Sequence, residues 1–244
     1  MHVIGRGFIA GHLRRLENRH TTATVLAAGV SSIAGGYREQ FARERRLVLD
    51  SIEACRREDR RLVLLSTASH AMYGNTSQPA RETDAVVRDS AYGLHKQDLE
   101  HVVADSAIPF LILRLSHVMG AGQRPHQLLP ALIEQIRGGQ VRVQPHAHRD
   151  VIDVQDVVTA IDGLLTAGVA DDVVNVASGN PVPVPDIVRG IAQRMGTEPL
   201  VDVQDAPPTR TVVSVAKLHA AVPVLTHTTR VDYLDRILDK YVPA

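Results

Sequence analysis

Tyr92 and Lys96, in the stretch YGLHK, stand four residues apart at the mouth of a run with helical apolar spacing. That spacing puts both side chains on one face of a helix, one turn apart. A surface tyrosine packed on a lysine stem would account for the pair. So would acid–base work shared between a phenol and an ammonium, and five letters do not choose. A second stretch is more directive. GRGFIAGHL places Gly5, Gly7 and Ala10 in the pattern G-x-G-x-x-G/A, between an apolar strand and a helix. There the first glycine permits a tight turn, the second lets a pyrophosphate approach the backbone, and a small third residue lets helix and strand pack closely. A helix N-terminus following such a turn offers N–H groups and a positive dipole end. The turn predicts dinucleotide binding. The sequence also holds twelve histidines, of which His146 and His148 lie two apart in PHAHRD. A metal needs three or four converging ligands, and no Asp or Glu completes this set at a usual spacing. They read as loop residues, and no metal site is expected.

The elements that must position these residues alternate. MHVI reads as a short strand, FIAGHLRRLE as a helix, and TATVLAAG as a second strand running into the loop VSSIAGG. A long helix from about Tyr37 to Arg57 turns Phe41, Leu47, Val48, Ile52 and Cys55 inward, with Arg and Glu outward. RLVLLST and PFLILRLS are nearly continuous apolar runs, as strands buried on both faces should be, with the helix of Tyr92–Ala104 between them. Alternation of this kind predicts a parallel sheet with helices on both faces. After Gly120 the rhythm loosens. QLLPALIEQIRGG reads as a helix, QVRV as a strand, DVQDVVTAIDGLLTAG as a helix with Asp153 as its N-cap, and DVVNVAS as a strand. Helices near 184–195 and 229–241 complete a tail that suits a smaller lobe. The expected organisation is a dinucleotide-binding core over 1–120, also using about 151–178, with 121–150 and 179–244 forming the substrate lobe.

Composition narrows the classes. The 244 residues are 44% hydrophobic and 22% charged, an ordinary globular balance. Lys plus Arg equal Asp plus Glu at 27 each, which lacks the electrostatic footprint of a nucleic-acid or anionic-membrane binder. Cys55 is the single cysteine, so no internal disulfide framework forms, and a reducing compartment fits. No apolar run approaches the roughly 18 residues of a membrane span. The N-terminus lacks a charged segment followed by an apolar one, so no signal peptide is expected and the cytoplasm is the default.

Taken in order, the blocks resemble the extended branch of the short-chain dehydrogenase/reductases, the NAD-dependent epimerase/dehydratase family. GFIAGHL is similar to its first turn, LAAG to the strand lining its cofactor, LLSTASHAMYG to its Ser/Thr strand, and YGLHK to its Tyr-x-x-x-Lys pair. RLSHVMGAGQ, RDVIDVQDVVTAI and VVNVASGNPVPVPDIV resemble its later blocks, so the likeness covers nearly the whole chain. It implies a Rossmann-like doubly wound parallel sheet. It also implies that Tyr92 is the proton donor or acceptor at a reacting carbonyl or carbinol. A free tyrosine ionises near ~10, and bringing it toward ~7 takes about 4 kcal/mol of preferential phenolate stabilisation. Lys96 would supply part of that as a nearby positive charge and would also hold the nicotinamide ribose. The catalytic hydroxyl is Thr67 counting from the strand, or Ser69 counting back from Tyr73–Gly74. Gly5, Arg6, Gly7, Phe8, Ile9 and Ala10, with Ala27, Ala28 and Gly29, would line the cofactor. His117 and Arg149 fall at substrate positions, Arg149 where the family meets a sugar nucleotide's diphosphate, a task suited to bidentate donors. An ion pair from Arg149 to Asp153 or Asp156 is the alternative.

Departures from the family pattern select the chemistry. Its sugar dehydratases carry an Asp-Glu pair directly after the catalytic Thr; here Ala68, Ser69 and His70 follow Thr67, which argues against dehydration. Its 3,5-epimerases use a Cys and a His, and Cys55 sits far away on a helix. What remains is ketone reduction or 4-epimerisation, and the resemblance implies reduction of a nucleotide-activated 4-keto-6-deoxy sugar, with reduction of a non-sugar ketone or a catalytically silent cofactor sensor as further alternatives. The acid that normally grips the adenosine ribose is absent, since the second strand ends in Ala-Ala-Gly. Arg6, Arg14 and Arg15 lie near a 2′-phosphate position, which favours NADPH over NADH. The family also pairs through its two long helices, so a homodimer is expected, with Phe41, Leu49 and Val103 as candidate contacts. Finally, about a dozen residues separate Leu13 from Val25, whereas a strand, a crossover helix and another strand need about thirty. The first strand should therefore lie at or near the edge of a sheet shortened after its first helix.

Overall fold

The computed structural model describes residues 1–30, 37–87 and 90–243. Apart from Val30, the expected loop VSSIAGG lies outside the described residues. The chain begins with β1 (His2–Ile4), α1 (Phe8–Leu13), β2 (Ala23–Leu26), α2 (Tyr37–Glu58) and β3 (Arg61–Thr67). A short α3 (His70–Tyr73), then α4 (Ala91–Ala104), β4 (Phe110–Leu115) and β5 (His117–Met119) follow. Next come α5 (Leu128–Arg137), β6 (Gln140–Val143), β7 (His148–Arg149), β8 (Val151–Asp153), α6 (Val154–Thr166) and β9 (Asp172–Val176). The tail holds β10 (Val182–Pro183), α7 (Val184–Arg194), β11 (Leu200–Val203), α8 (Ala216–Ala221) and α9 (Tyr233–Tyr241).

The main sheet has five strands in the order β1-β2-β3-β4-β9, every pair parallel. β3 and β4 are central and almost wholly buried, which is why they read as unbroken apolar runs. β1 stands at the edge, paired only with β2 among the described residues. The chain between α1 and β2 turns through a single 3-10 segment, Arg14–Leu16, too short for an outer strand. On one face α2 and α4 bury Val48, Ile52, Cys55, Leu99 and Val103 against Leu62, Leu64 and Ile112. On the other, α1, α6 and α8 bury Leu13, Val157, Ile161 and Leu218 against Val25, Val63 and Leu113. Helices thus cover both faces of a Rossmann-like sheet. A separate apolar cluster joins α5, β6, α7 and α9 through Leu132, Val141, Ile187 and Ile237.

Two details correct the reading of the helices. Val103 is fully buried in the sheet-facing core and offers nothing to a partner, whereas Leu49 is 45% exposed. The inward stripe of α2 also includes Glu44 and Ser51, both polar and both buried. Asp153 does cap α6, its carboxylate accepting from Gln155 N–H at 2.8 Å. Among the described residues, no helix is long and apolar enough to cross a membrane.

Candidate active site

β3 delivers Thr67 at its C-terminal end, and Ser69 follows as the N-cap residue of α3. Thr67 Oγ1 donates to Ser69 Oγ at 2.9 Å. α4 starts at a capped end, where Ser90 Oγ accepts from Gly93 N–H, so Tyr92 sits in its first turn and Lys96 one turn further on. Gly93 is what lets α4 press onto α3, because a Cβ there would lie 1.8 Å from the Ala71 carbonyl oxygen. Close packing brings the Tyr92 phenol into a hydrogen bond with Thr67. Lys96 Nζ lies 5.6 Å from the centre of the Tyr92 ring. Thr67, Ser69, Tyr92 and Lys96 are therefore one constellation: Thr67 touches the phenol and Ser69 extends the hydroxyl row outward.

The charge balance differs from the expectation. Burial raises the Tyr92 phenol above the ordinary tyrosine range; Lys96 and Thr67 act to lower it, but Glu44 opposes them. Lys96 is not a free cation. Its Nζ donates to Glu44 Oε1 at 2.7 Å, and both groups are buried. His95 Nε2, in the tautomer that carries hydrogen there, donates to Glu44 Oε2 at 2.9 Å. Burial pushes the Glu44 carboxyl up, yet His95, Lys96 and the Val30 backbone outweigh it and hold the group below the usual glutamate range. Beneath this cluster, Glu100 of α4 pairs with Arg114 of β4 at 2.7 Å and accepts from Ser66, fixing the helix to the sheet. Arg114 Nη1 also donates to Tyr73 Oη at 2.8 Å.

A cavity of about 200 Å³ opens beside Ser69, walled by His70, His117, His148, Arg149 and Thr209. Burial and the nearby Arg149 charge push His117 down to about 4, so it is neutral at pH 7. Arg149 Nη1 donates to the His148 carbonyl at 2.9 Å and to Thr209 Oγ1 at 3.3 Å, not to either aspartate expected as an alternative. Asp153 is engaged by Lys240 and Tyr241, and Asp156 by Tyr233 and His227. Asp150 accepts from Ser178 and Gly179 N–H groups, both at 2.8 Å. His70 and His148 are among the lining residues that sequence reasoning missed, with Asp150, Thr209 and Thr211. Each of the two histidines holds a buried Nδ1 with no partner among the described residues. His70 follows Ser69 directly, which was the available signal; His148 was read as a plain loop residue, although β7 carries it.

At the other end, Gly5 has φ +140°, and a Cβ there would sit 2.4 Å from the Ala27 carbonyl oxygen. Only glycine fits this turn. Gly7 precedes α1 with no side-chain cap, Ala10 is fully buried, and Phe8 and Ile9 begin the helix half-buried. Ala27, Ala28 and Gly29 follow β2 alongside, Ala27 N–H donating to Ile4 O at 2.8 Å. A bare backbone turn with open space at Gly7 is a cradle that a pyrophosphate fits. Arg14 and Arg15 do not serve it: Arg14 pairs with Glu17, and Arg15 donates to Gln155 of α6. Arg6 is exposed at the turn itself.

The profile of the NAD dependent epimerase/dehydratase family matches residues 10–177, more than half of the chain. The chain belongs to this family. Its likeness to solved structures concerns the fold. RMD from Pseudomonas aeruginosa complexed with NADPH superposes with a TM-score of 0.80 at 21% identity, covering 98% of this chain and 97% of that one. MoeE5 in complex with UDP-glucose and NAD gives 0.82 at 23% identity over 98% and 96%. A curated relative, dTDP-4-dehydro-6-deoxyglucose reductase from Escherichia coli, is 22% identical over 158 residues, 59% of this chain and 48% of the relative. The match thus spans about half the length of that curated relative.

Membership implies a nicotinamide dinucleotide as the cofactor class, and the residues above fit one. Its nicotinamide end would meet Lys96 and Tyr92, and its pyrophosphate the Gly5–Gly7 turn. The residues after β2 offer the adenosine ribose no carboxylate.

Proposed function

We propose that the chain is an NAD(P)H-dependent ketoreductase of a nucleotide-activated 4-keto-6-deoxy sugar. The observation that carries this is the Tyr92 phenol: half-buried, held above the ordinary tyrosine range, hydrogen-bonded to Thr67, whose own neighbour Ser69 lines the cavity. A phenol held in its acid form suits proton donation to a carbonyl oxygen. Thr67 or Ser69 orients that oxygen, and Lys96 places a positive charge beside the phenol as it becomes anionic. A bound reduced nicotinamide supplies the hydride. Arg149, at the cavity wall with no carboxylate partner among the described residues, would take the substrate's diphosphate, and neutral His117 would offer a hydrogen bond without charge. The lobe of residues 121–150 and 179–244 would hold the rest of the sugar nucleotide. No carboxylate follows Thr67, so no residue there serves the proton shuttling of dehydration. Exposed Arg6 favours NADPH. Exposed Leu49 on α2 makes pairing of two copies through that helix the proposed assembly, which sedimentation at micromolar concentration checks.

The test is product analysis by mass spectrometry and NMR after incubation with NADPH and a panel of nucleotide 4-keto-6-deoxy sugars, nucleotide hexoses and aromatic ketones. Stoichiometric NADPH loss with a reduced sugar nucleotide supports the proposal. Isomerisation without net NADPH loss would make the protein a 4-epimerase. Reduction of the aromatic ketones alone would move it to non-sugar substrates.

A further inference from the structure

Glu44 is out of place on the inward stripe of a helix. Its neighbours on that stripe are Val48, Ile52 and Cys55, and it is only 4% exposed. Burying a carboxylate is costly unless it is paired and hydrogen-bonded, and here the partners include Lys96 of the proposed catalytic pair, its helix neighbour His95 and the Val30 backbone. Lys96 Nζ donates to one oxygen at 2.7 Å, and His95 Nε2 meets the other at 2.9 Å. Phe41, one turn earlier on α2, stacks on the His95 ring at 3.9 Å and 6°, holding the imidazole against the carboxylate. The strand end after β2 closes over the pair, since a Cβ on Gly29 would fall 2.6 Å from Glu44 Oε1 and 3.0 Å from Lys96 Nζ.

We propose that Glu44 is a positioning residue for this pair: it fixes the Lys96 ammonium beneath the cofactor-lining strand and sets a negative charge near Tyr92 that keeps the phenol a proton donor. The inference deepens the reading of the site as a reductase, but its geometry stands without any substrate. The charged groups acting on Tyr92 are Lys96 from its own helix and Glu44 from α2, with the neutral hydroxyl of Thr67 from β3. His95, from α4, faces Glu44 rather than the phenol. Burial raises the phenol further, so Lys96 alone does not bring it into the neutral range. Through neutral and mildly alkaline pH the site then retains the protonation state that reduction needs. A substitution that removes the Glu44 charge leaves Lys96 acting unopposed, as an opposite charge within reach does.

The chain has no tryptophan and five tyrosines, so tyrosinate absorbance near 295 nm reads phenol ionisation directly. Subtracting the titration of Tyr92→Phe isolates Tyr92. Glu44→Gln, which keeps the shape and removes the charge, should move the Tyr92 titration down by about one pH unit or more, the scale of a nearby charge. Glu44→Asp should restore most of the wild-type curve. Should Glu44→Gln fail to fold with an unpaired ammonium buried, Lys96→Met is compared with the neutral double variant Glu44→Gln/Lys96→Met. The double variant should titrate lower than Lys96→Met by a similar margin. A Tyr92 titration that ignores the Glu44 charge in both comparisons overturns the proposal, whatever the thermal stability of the variants. Because no substrate enters the measurement, its failure is separate from failure of the ketoreductase reading, which product analysis decides.

Discussion

Lys96 and Arg6 are both basic residues placed at the proposed cofactor groove, and their surroundings differ sharply. Lys96 is 3% exposed, held by Glu44, on a helix tied to the sheet by the buried Glu100–Arg114 pair. Arg6 is exposed, on a turn after an edge strand of three residues with one neighbour. The side chains are tightly held where, in the proposed function, a proton and a carbonyl would meet, since reacting groups tolerate little misplacement. The structure is open where only adenosine would rest, since contacts there add affinity without forming the reacting geometry. RMD and MoeE5 share the architecture at only 21% and 23% identity. The fold is therefore preserved through considerable sequence change, and the site must be argued from its own residues.

The comparison breaks first at the rigid end. Glu100→Ala leaves the Arg114 guanidinium buried without its carboxylate, and loss of one partner from such a pair costs about 3–5 kcal/mol. Urea unfolding should show that loss as a lower midpoint; a change under about 1 kcal/mol would mean α4 does not depend on this anchor. Next in size is turnover. Tyr92→Phe should lower kcat at least about a hundredfold, the scale of a positioned general acid, with NADPH affinity nearly unchanged. Lys96→Ala should damage both, because in the proposed function the lysine would serve phenol and ribose together. Near-wild-type turnover by Tyr92→Phe would remove the proton donor from the mechanism.

Acid sharpens the contrast through Glu44. Its folded-state carboxyl lies below the usual glutamate value, so its contribution to stability is complete above ~4.3 and disappears as pH falls through the folded value. Urea midpoints of wild type and Glu44→Gln should therefore differ at pH 7 and converge as the pH is taken down toward 3. Parallel curves would place the acid sensitivity elsewhere. The smallest effect belongs to the open end. With no carboxylate after β2 and Arg14 and Arg15 engaged elsewhere, NADPH and NADH affinities should fall within about tenfold of each other, or 1.4 kcal/mol. Titration by cofactor fluorescence checks this, and a hundredfold preference would require an adenosine contact beyond those described.

The central strands, the Asp153 cap of α6, the glycine turn and the Tyr92–Lys96 pair were all legible in the amino-acid sequence. Each is a local property, carried by apolar period, turn chemistry or spacing within one helix. The edge position of β1 was legible for a different reason: too few residues lie between Leu13 and Val25 to build anything outside it. What the tertiary structure alone decided is the partnership of groups far apart in the chain. Glu44 and Lys96 are 52 residues apart, and in YREQFARERR a buried glutamate looks like any outward one. Burial of the phenol, with the Glu44 charge adding to it, reversed the sign of the Tyr92 shift expected from Lys96 alone. The cavity likewise gathers residues near 70, 117, 149 and 209, which no spacing relates. Periodicity states which face of an element is buried; only packing states which charge meets which, and in a low-dielectric interior that meeting decides the chemistry.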